Sequence, residues 1–269
     1  NSIYDYFSNN DSKFKIMLSN EFEKEINACS FRDGIEIDTF DNCVDKSDLV
    51  LSIGGDGTIL STVRKLHSKT IPILGIHIGS LGFLAQSTED SLIESLKCLE
   101  NNKYEIEERI LLKVIIKNMK NKIFYAFNDA VINHGSSGRI LESKVFVNNQ
   151  HVNNYKSDGI IISTPTGSTG YSLSSGGPII APNLDVVNLT PISSHSLSAR
   201  PIVLSSTSSI EIKFTKNFGG AALIVDGQEH IDLKKRTTIS IKKADHNAKL
   251  IILPFNNYMT TLKEKLHWS

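Results

Sequence analysis

The run Gly54-Gly55-Asp56-Gly57-Thr58 follows a short β-branched apolar segment, Leu49-Val50-Leu51-Ser52-Ile53, and precedes Leu60, Val63 and Leu66 at helical spacing. A strand, a glycine-rich turn and a helix start make an anion site by geometry alone. Glycine allows close backbone approach, and the first amides of a helix point at a phosphate. Gly55, Gly57 and Thr58 are therefore candidate phosphate contacts. Asp56 is the odd member, because a carboxylate beside phosphates is repelled unless it performs a task. Two tasks fit: binding a Mg²⁺ ion that bridges the phosphates, or taking the proton of an attacking hydroxyl. The bland alternative is a tight turn with a surface aspartate, and five residues in this order behind a buried strand argue against it.

A second stretch, Lys156-Ser157-Asp158-Gly159, continues through Ile160-Ile161-Ile162 into a hydroxyl- and glycine-rich segment ending at Pro178. Between Thr164 and Gly177 lie seven Ser or Thr hydroxyls and four glycines, with Tyr171 among them. Such a turn can hydrogen-bond ribose and amide groups while Tyr171 offers a ring for stacking. A flexible Ser/Gly linker is the alternative, but a linker would lack the buried isoleucine run and the tyrosine.

The pentapeptide resembles the phosphate-binding signature shared by NAD kinases, diacylglycerol and sphingosine kinases and, with Ser for Thr, 6-phosphofructokinases. By itself it implies an ATP-dependent kinase acting on a hydroxyl and does not choose the substrate. The segment from Lys156 to Pro178 resembles the NAD kinase signature almost residue for residue. Further landmarks stand in that family's order: Gly75-Ile76-His77 with Leu81-Gly82-Phe83-Leu84, Phe127-Asn128-Asp129, His195 to Ile202, Asp226-Gly227-Gln228 and Lys263-Glu264-Lys265-Leu266. These matches run from about Asp48 to the C-terminus.

The resemblance implies transfer of a phosphoryl group from ATP, or another donor, to the adenosine-ribose 2′-hydroxyl of NAD, with Mg²⁺ or another divalent ion accompanying the ATP phosphates and no dedicated metal site. It implies a site in the cleft between two domains, and a homodimer or homotetramer in which a neighbouring subunit often completes the nicotinamide side. Asp56 becomes the general base and Asn128 the reader of the adenine edge. Asp129 and Asp158 take ribose hydroxyls or the nicotinamide amide, and Thr166, Thr169, Gly170, Tyr171 and Ser174 form the dinucleotide wall. Phe83 is an apolar cover, Arg139 and Lys156 are partners for pyrophosphate or the new 2′-phosphate, Gln228 is a further polar contact, and His195 reaches a neighbour's ligand. Three positions depart from the family pattern: Asp129 stands for Glu, Lys156 for a frequent Arg, and His77 for a frequent Asn. They bear on NAD-versus-NADH preference. Competing readings are a lipid or sugar kinase sharing the first loop, which the Thr164–Pro178 stretch opposes, and a non-catalytic NAD(P) sensor, which the presence of Asp56 opposes.

The elements that must position these residues fall into two styles. Up to Tyr104 strand and helix signals alternate: a helix is expected near Thr58, a second buried strand over Ile73 to Ile78, and a helix capped by Ser87 or Thr88 with Leu92, Leu96 and Leu99 on one face. Beyond it, short segments rich in Ile, Val, Phe and Thr, at 111–117, 123–127, 144–148, 159–163, 202–204, 210–214, 223–226 and 237–242, suit packed sheets. The expected architecture is an α/β N-terminal domain over residues 1–105 and an all-β, two-sheet C-terminal domain over 106–248. Residues 249–269 add a strand, Leu250 to Leu253, and a short helix packing back on the first domain.

Composition narrows the partners. Lys plus Arg and Asp plus Glu balance at 29 each, so no whole-molecule field gathers nucleic acid or an acidic membrane. Anions must be bound by local geometry. Cys29, Cys43 and Cys98 form no CxxC pair, which suits a reducing compartment. No apolar run approaches the roughly 20 residues of a membrane span, and Asn1 to Asn20 lacks the apolar core of a signal peptide. The expectation is a cytoplasmic protein whose missing initiator Met implies residues before Asn1.

Overall fold

The computed structural model describes residues 2–9, 14–22, 34–79, 82–214 and 220–268, without the side chains of Ser8 and Asn9. Cys29, Ser80 and Leu81 lie outside the described residues. The chain divides into two compact units, one of Asn1–Glu107 with Lys249–Ser269, the other of Glu108–Ala248. No helix among the described residues is long and apolar enough to cross a membrane.

The first unit is built on parallel strands. Val50–Gly54 pairs with Ile73–His77 in register from Val50↔Ile73 to Gly54↔His77, and Ser87–Thr88 extends the sheet beside Ile76 and His77. The helix Asp56–Leu66 connects the first two strands and buries Ile59, Leu60, Val63 and Leu66. The second helix starts later than its side chains suggest. It spans Leu92–Glu100 with Ser91 at its cap position, whereas Ser87 and Thr88 are drawn into the sheet edge. The Ser91 hydroxyl accepts the Thr88 amide at 2.9 Å, so Glu89 and Asp90 form a turn and not the first helical turn. Leu74, Ile76, Leu92, Leu96 and Leu99 share one core with Ile251, Leu253 and Tyr6. Leu250 pairs in parallel with Ile73. The tail strand is the end of a 15-residue strand, Thr238–Ile252, and not a separate element; the helix Tyr258–Leu266 follows it.

The second unit is β-rich, as its short apolar segments predict. One six-stranded antiparallel sheet runs Ile202–Ser205, Val186–Ile192, Gly159–Ser163, Asp129–Asn133, Ala221–Val225, Glu229–Leu233. Another antiparallel layer contains Gln150–Ser157, Leu141–Val147, Ile210–Phe214 and the first part of Thr238–Ile252. The hairpin Glu105–Lys117 with Lys122–Ala126 joins this layer through the long Thr238–Ile252 strand. Alternation decides the faces: Ile160, Ile162 and Ile132 enter the main core with Leu112, Val145, Leu223 and Ile239. Ile161 and Val131 point the other way, into a smaller cluster with Ile192. All three isoleucines of Ile160–Ile162 are fully buried, so this strand reads as a continuous apolar run, as strands covered on both faces do.

Candidate active site

In the first unit the chemistry gathers at the carboxyl ends of the parallel strands. Gly55 is the cap residue of the Asp56–Leu66 helix, with the Thr58 amide donating to its carbonyl at 2.9 Å. Asp56 therefore opens the helix, where a negative charge meets the positive end of the dipole. Its carboxylate accepts two backbone amides from one neighbouring loop: Phe83 donates to Oδ2 at 2.9 Å and Leu84 to Oδ1 at 3.3 Å. A Cβ on Gly82 would overlap the Asp56 carboxylate, so only glycine lets the loop approach. The Gly82-Phe83-Leu84 motif thus orients the acid through backbone. Phe83 itself is half-buried, and Gly57 and Thr58 are exposed at the helix start. His77 ends the strand beside Gly54, and its Nδ1 is buried with no hydrogen-bond partner among the described residues.

In the second unit a different cluster forms around the start of Asp129–Asn133. Thr164 ties it to the hydroxyl-rich turn: its amide donates to the Asn128 carbonyl at 2.9 Å, its hydroxyl to the Phe127 carbonyl at 2.6 Å, and the Gly167 amide donates to that hydroxyl at 3.1 Å. A Cβ on Gly167 would collide with the Asn128 carbonyl. Asn128 Oδ1 is buried with no hydrogen-bond donor among the described residues, while its Nδ2 lies close to Gly170. Asp129 is 6% exposed, and its pKa is pushed up to about 7, first by burial and then by the neighbouring Asp226 carboxylate. Asp226 accepts the amides of Phe127, Asn128 and Asp129.

The turn itself folds as a 3-10 helix, Thr166–Thr169, running into a single helical turn, Tyr171–Ser174. Alternate side chains divide its labour. Ser168 and Ser172 are fully buried: Ser168 bonds the Ile180 amide at 3.0 Å, and Ser172 bonds Thr190 and Asn188 at 3.1 and 2.9 Å. Tyr171 and Ser174 are exposed, and Thr169 and Gly170 are half-exposed. Thr166 is buried, with the equally buried Arg109 donating to its hydroxyl at 3.4 Å. Gln228 is exposed in the hairpin turn after Asp226.

The remaining expected residues fall elsewhere in the same unit. Asp129 faces Ser163 in the register, whereas Gly159, next to Asp158, faces Asn133. Asp129 and Asp158 therefore stand at opposite ends of paired strands, about 17 Å apart along the strand direction at roughly 3.4 Å per residue. They cannot share one hydroxyl pair. At the Asp158 end the His195 amide donates to the Lys156 carbonyl at 2.9 Å and the His134 amide to the Asp158 carbonyl at 3.2 Å. Lys156 makes an exposed cross-strand pair with Glu142 at 3.2 Å. Arg139 and His195 are exposed. Two buried participants were given no role from sequence. Asp226 stands only within the Asp226-Gly227-Gln228 landmark, Asp226-Gly227 alone reading as a hairpin turn, and Arg109 sits in a charged run, Glu107-Glu108-Arg109.

Comparison with known proteins accounts for both halves. A family model described as the ATP-NAD kinase N-terminal domain matches residues 6–104, and one described as the ATP-NAD kinase C-terminal domain matches residues 127–253. The first reaches far ahead of Asp48, where the recognisable motifs begin. The chain is 42% identical over 231 residues to a NAD kinase of Sulfurimonas denitrificans, covering 86% of this chain and 81% of that protein. A NAD kinase of Geobacter metallireducens is 39% identical over 232 residues, with coverage of 86% and 82%. The crystal structure of yeast NADH kinase complexed with NADH shares the fold at a TM-score of 0.88 and 24% identity, covering 100% of this chain and 83% of that one. The structure of an NAD kinase from Archaeoglobus fulgidus in complex with ATP gives a TM-score of 0.73 at 27% identity, with coverage of 94% and 98%. With both of its halves matched and relatives this similar along most of its length, the chain belongs to the ATP-NAD kinase family.

Proposed function

We propose that this protein transfers the terminal phosphoryl group of ATP to the adenosine-ribose 2′-hydroxyl of NAD, giving NADP and ADP. The observation that carries this reading is the Asp56 carboxylate, placed at a helix start behind a glycine turn and aimed by the Phe83 and Leu84 amides. The 2′-oxygen forms its bond to the γ-phosphorus as the bond from that phosphorus to the β-bridging oxygen breaks. The hydroxyl proton passes to Asp56. A carboxylate is far too weak a base to ionise a sugar hydroxyl beforehand, so the proton moves late, and placement matters more than basicity. Each Asp56 oxygen accepts one backbone amide, which leaves lone-pair capacity for that proton.

Asn128, Asp129 and the exposed ring of Tyr171 serve the dinucleotide. The unpartnered Asn128 Oδ1 suits a ligand N–H such as an adenine amino group, because a buried acceptor without a donor is costly unless a ligand supplies one. Asp158, Lys156 and His195, at the far ends of their strands, serve the nicotinamide side of a ligand bound by a second copy of the chain. A divalent ion accompanying ATP would neutralise charge on the phosphates, and Asp56 is the residue of the glycine loop that could add a ligand to it.

The test is phosphate transfer from Mg²⁺-ATP to NAD, read through an NADP-specific dehydrogenase, for wild type beside Asp56→Asn. Turnover in the wild type that falls about 10²- to 10⁴-fold in the variant, with the fold intact, is the expected outcome. A wild type that binds NAD without making NADP, or a variant as fast as wild type, overturns the reading.

A further inference from the structure

Asp226 lies in the turn between the strands Ala221–Val225 and Glu229–Leu233, with φ at 50° and Gly227 behind it. An aspartate in such a turn ordinarily bonds backbone a residue or two away. This one bonds the start of the neighbouring strand instead. Three successive amides donate to its carboxylate, Phe127 to Oδ2 at 3.0 Å and Asn128 and Asp129 to Oδ1 at 2.8 and 3.1 Å. Its own amide donates to the Asp129 carbonyl at 3.0 Å. The residue is 7% exposed and stands against a second buried carboxylate, that of Asp129. Closing a hairpin requires neither a buried charge nor a like-charged neighbour, and both are costly. What the arrangement achieves is local: the peptide units from Phe127 to Asp129 are pinned from one side by Asp226 and from the other by Thr164.

We propose that Asp226 is a positioning residue for dinucleotide binding, fixing the Phe127–Asp129 backbone so that the Asn128 amide and the Asp129 carboxyl meet the ligand. It acts through those two residues and does not itself touch the nucleotide. The inference rests on the NAD-binding role given above to Asn128 and Asp129. Three charge-assisted bonds converge on one carboxylate, so removing its charge releases three successive residues and not a single contact. The unpartnered Asn128 Oδ1 is the group most sensitive to that release, because its usefulness depends on where the backbone holds it.

The experiment is a double-mutant cycle of Asp226→Asn with Asn128→Ala, reading kcat and the KM values for NAD and ATP in the full chain, with melting temperatures alongside. Asparagine keeps the volume and one acceptor oxygen but turns an NH₂ group toward a backbone N–H. Asp226→Asn is expected to raise KM for NAD about tenfold, the size of one lost charge-assisted bond, and to leave KM for ATP within about twofold. The double variant should fall short of additivity, because Asp226 acts in part through Asn128, and the loss that remains beyond Asn128→Ala acts through Asp129. Should Asp226→Asn fail to accumulate as folded protein, Asp226→Glu, which keeps the charge and shifts it by one methylene, is taken through the same cycle. Parallel rises in both KM values, or strict additivity with Asn128→Ala, overturn the proposal. A wild type that makes no NADP overturns the reading beneath it and is visible before any variant is made.

Discussion

Asp129, proposed above as a ligand group, is also a liability to stability. Its pKa lies near 7 against an ordinary 3.8, because it is buried beside the Asp226 carboxylate. A carboxyl whose folded-state pKa is raised contributes its full share of stability below its unfolded pKa. That share is lost as pH climbs from 3.8 through about 7. Asp129→Asn keeps the shape and removes the titration. The variant should therefore gain on wild type across this window, by about 1–3 kcal/mol near pH 8 and much less near pH 4. Urea unfolding at the two pH values checks it, and a difference that does not widen with pH would show that Asp129 is not held as a neutral acid. The same residue scale holds what sequence could read of the site. Asp56 was legible because a carboxylate in a phosphate loop has few uses. Asp226 stood in a motif, but its role was not legible, because its partners lie about a hundred positions earlier in the chain.

Elements carry a second set of consequences. The hydroxyl-rich turn reads in sequence as one polar surface, yet folding sorts it into buried anchors and exposed side chains. Ser168 and Ser172 are anchors and Tyr171 and Ser174 are exposed, because a tight helical turn sends successive side chains in different directions. Gly167 lets this turn press against the Asn128 carbonyl. Gly167→Ala should push the two apart and raise KM for NAD by about tenfold or more, at little change in secondary structure. Unchanged affinity by titration calorimetry would disconnect the turn from the Asn128 tip.

Strand recognition failed at this scale where polar residues hid the pattern. Asp129–Asn133 begins and ends in residues that signal turns. Gln150–Ser157 is polar because it is a sheet edge. Val186–Ile192 contains Pro191, which lies past the point where the partner strand Ile202–Ser205 ends, so a residue usually excluded from sheets is tolerated.

At the scale of the whole molecule, the C-terminal tail belongs to the first unit's core. Ile251 and Leu253 are buried with Leu74, Leu96 and Leu99, residues more than 150 positions earlier. Each such side chain stabilises by about 1.5–3 kcal/mol. A chain ending at Ala248 should therefore lose cooperative folding of that unit, seen as a lost thermal transition and rapid proteolysis before residue 108. A truncated chain that melts like the full one would show the tail to be dispensable.

The sequence by itself determined the family and the α/β-then-β architecture, and singled out Asp56 as the candidate base. Each of these is written in local order: glycine spacing, apolar period and a motif of contiguous residues. Tertiary structure alone decided which distant groups meet. It placed the amides of Phe83 and Leu84 on Asp56, set Asp226 beneath Asn128 and Asp129, and put Asp158 at the opposite strand end from Asp129. Backbone amides carry no residue type, and strand register depends on pairing between segments far apart in the chain. No reading of types and spacings along the chain could have supplied either.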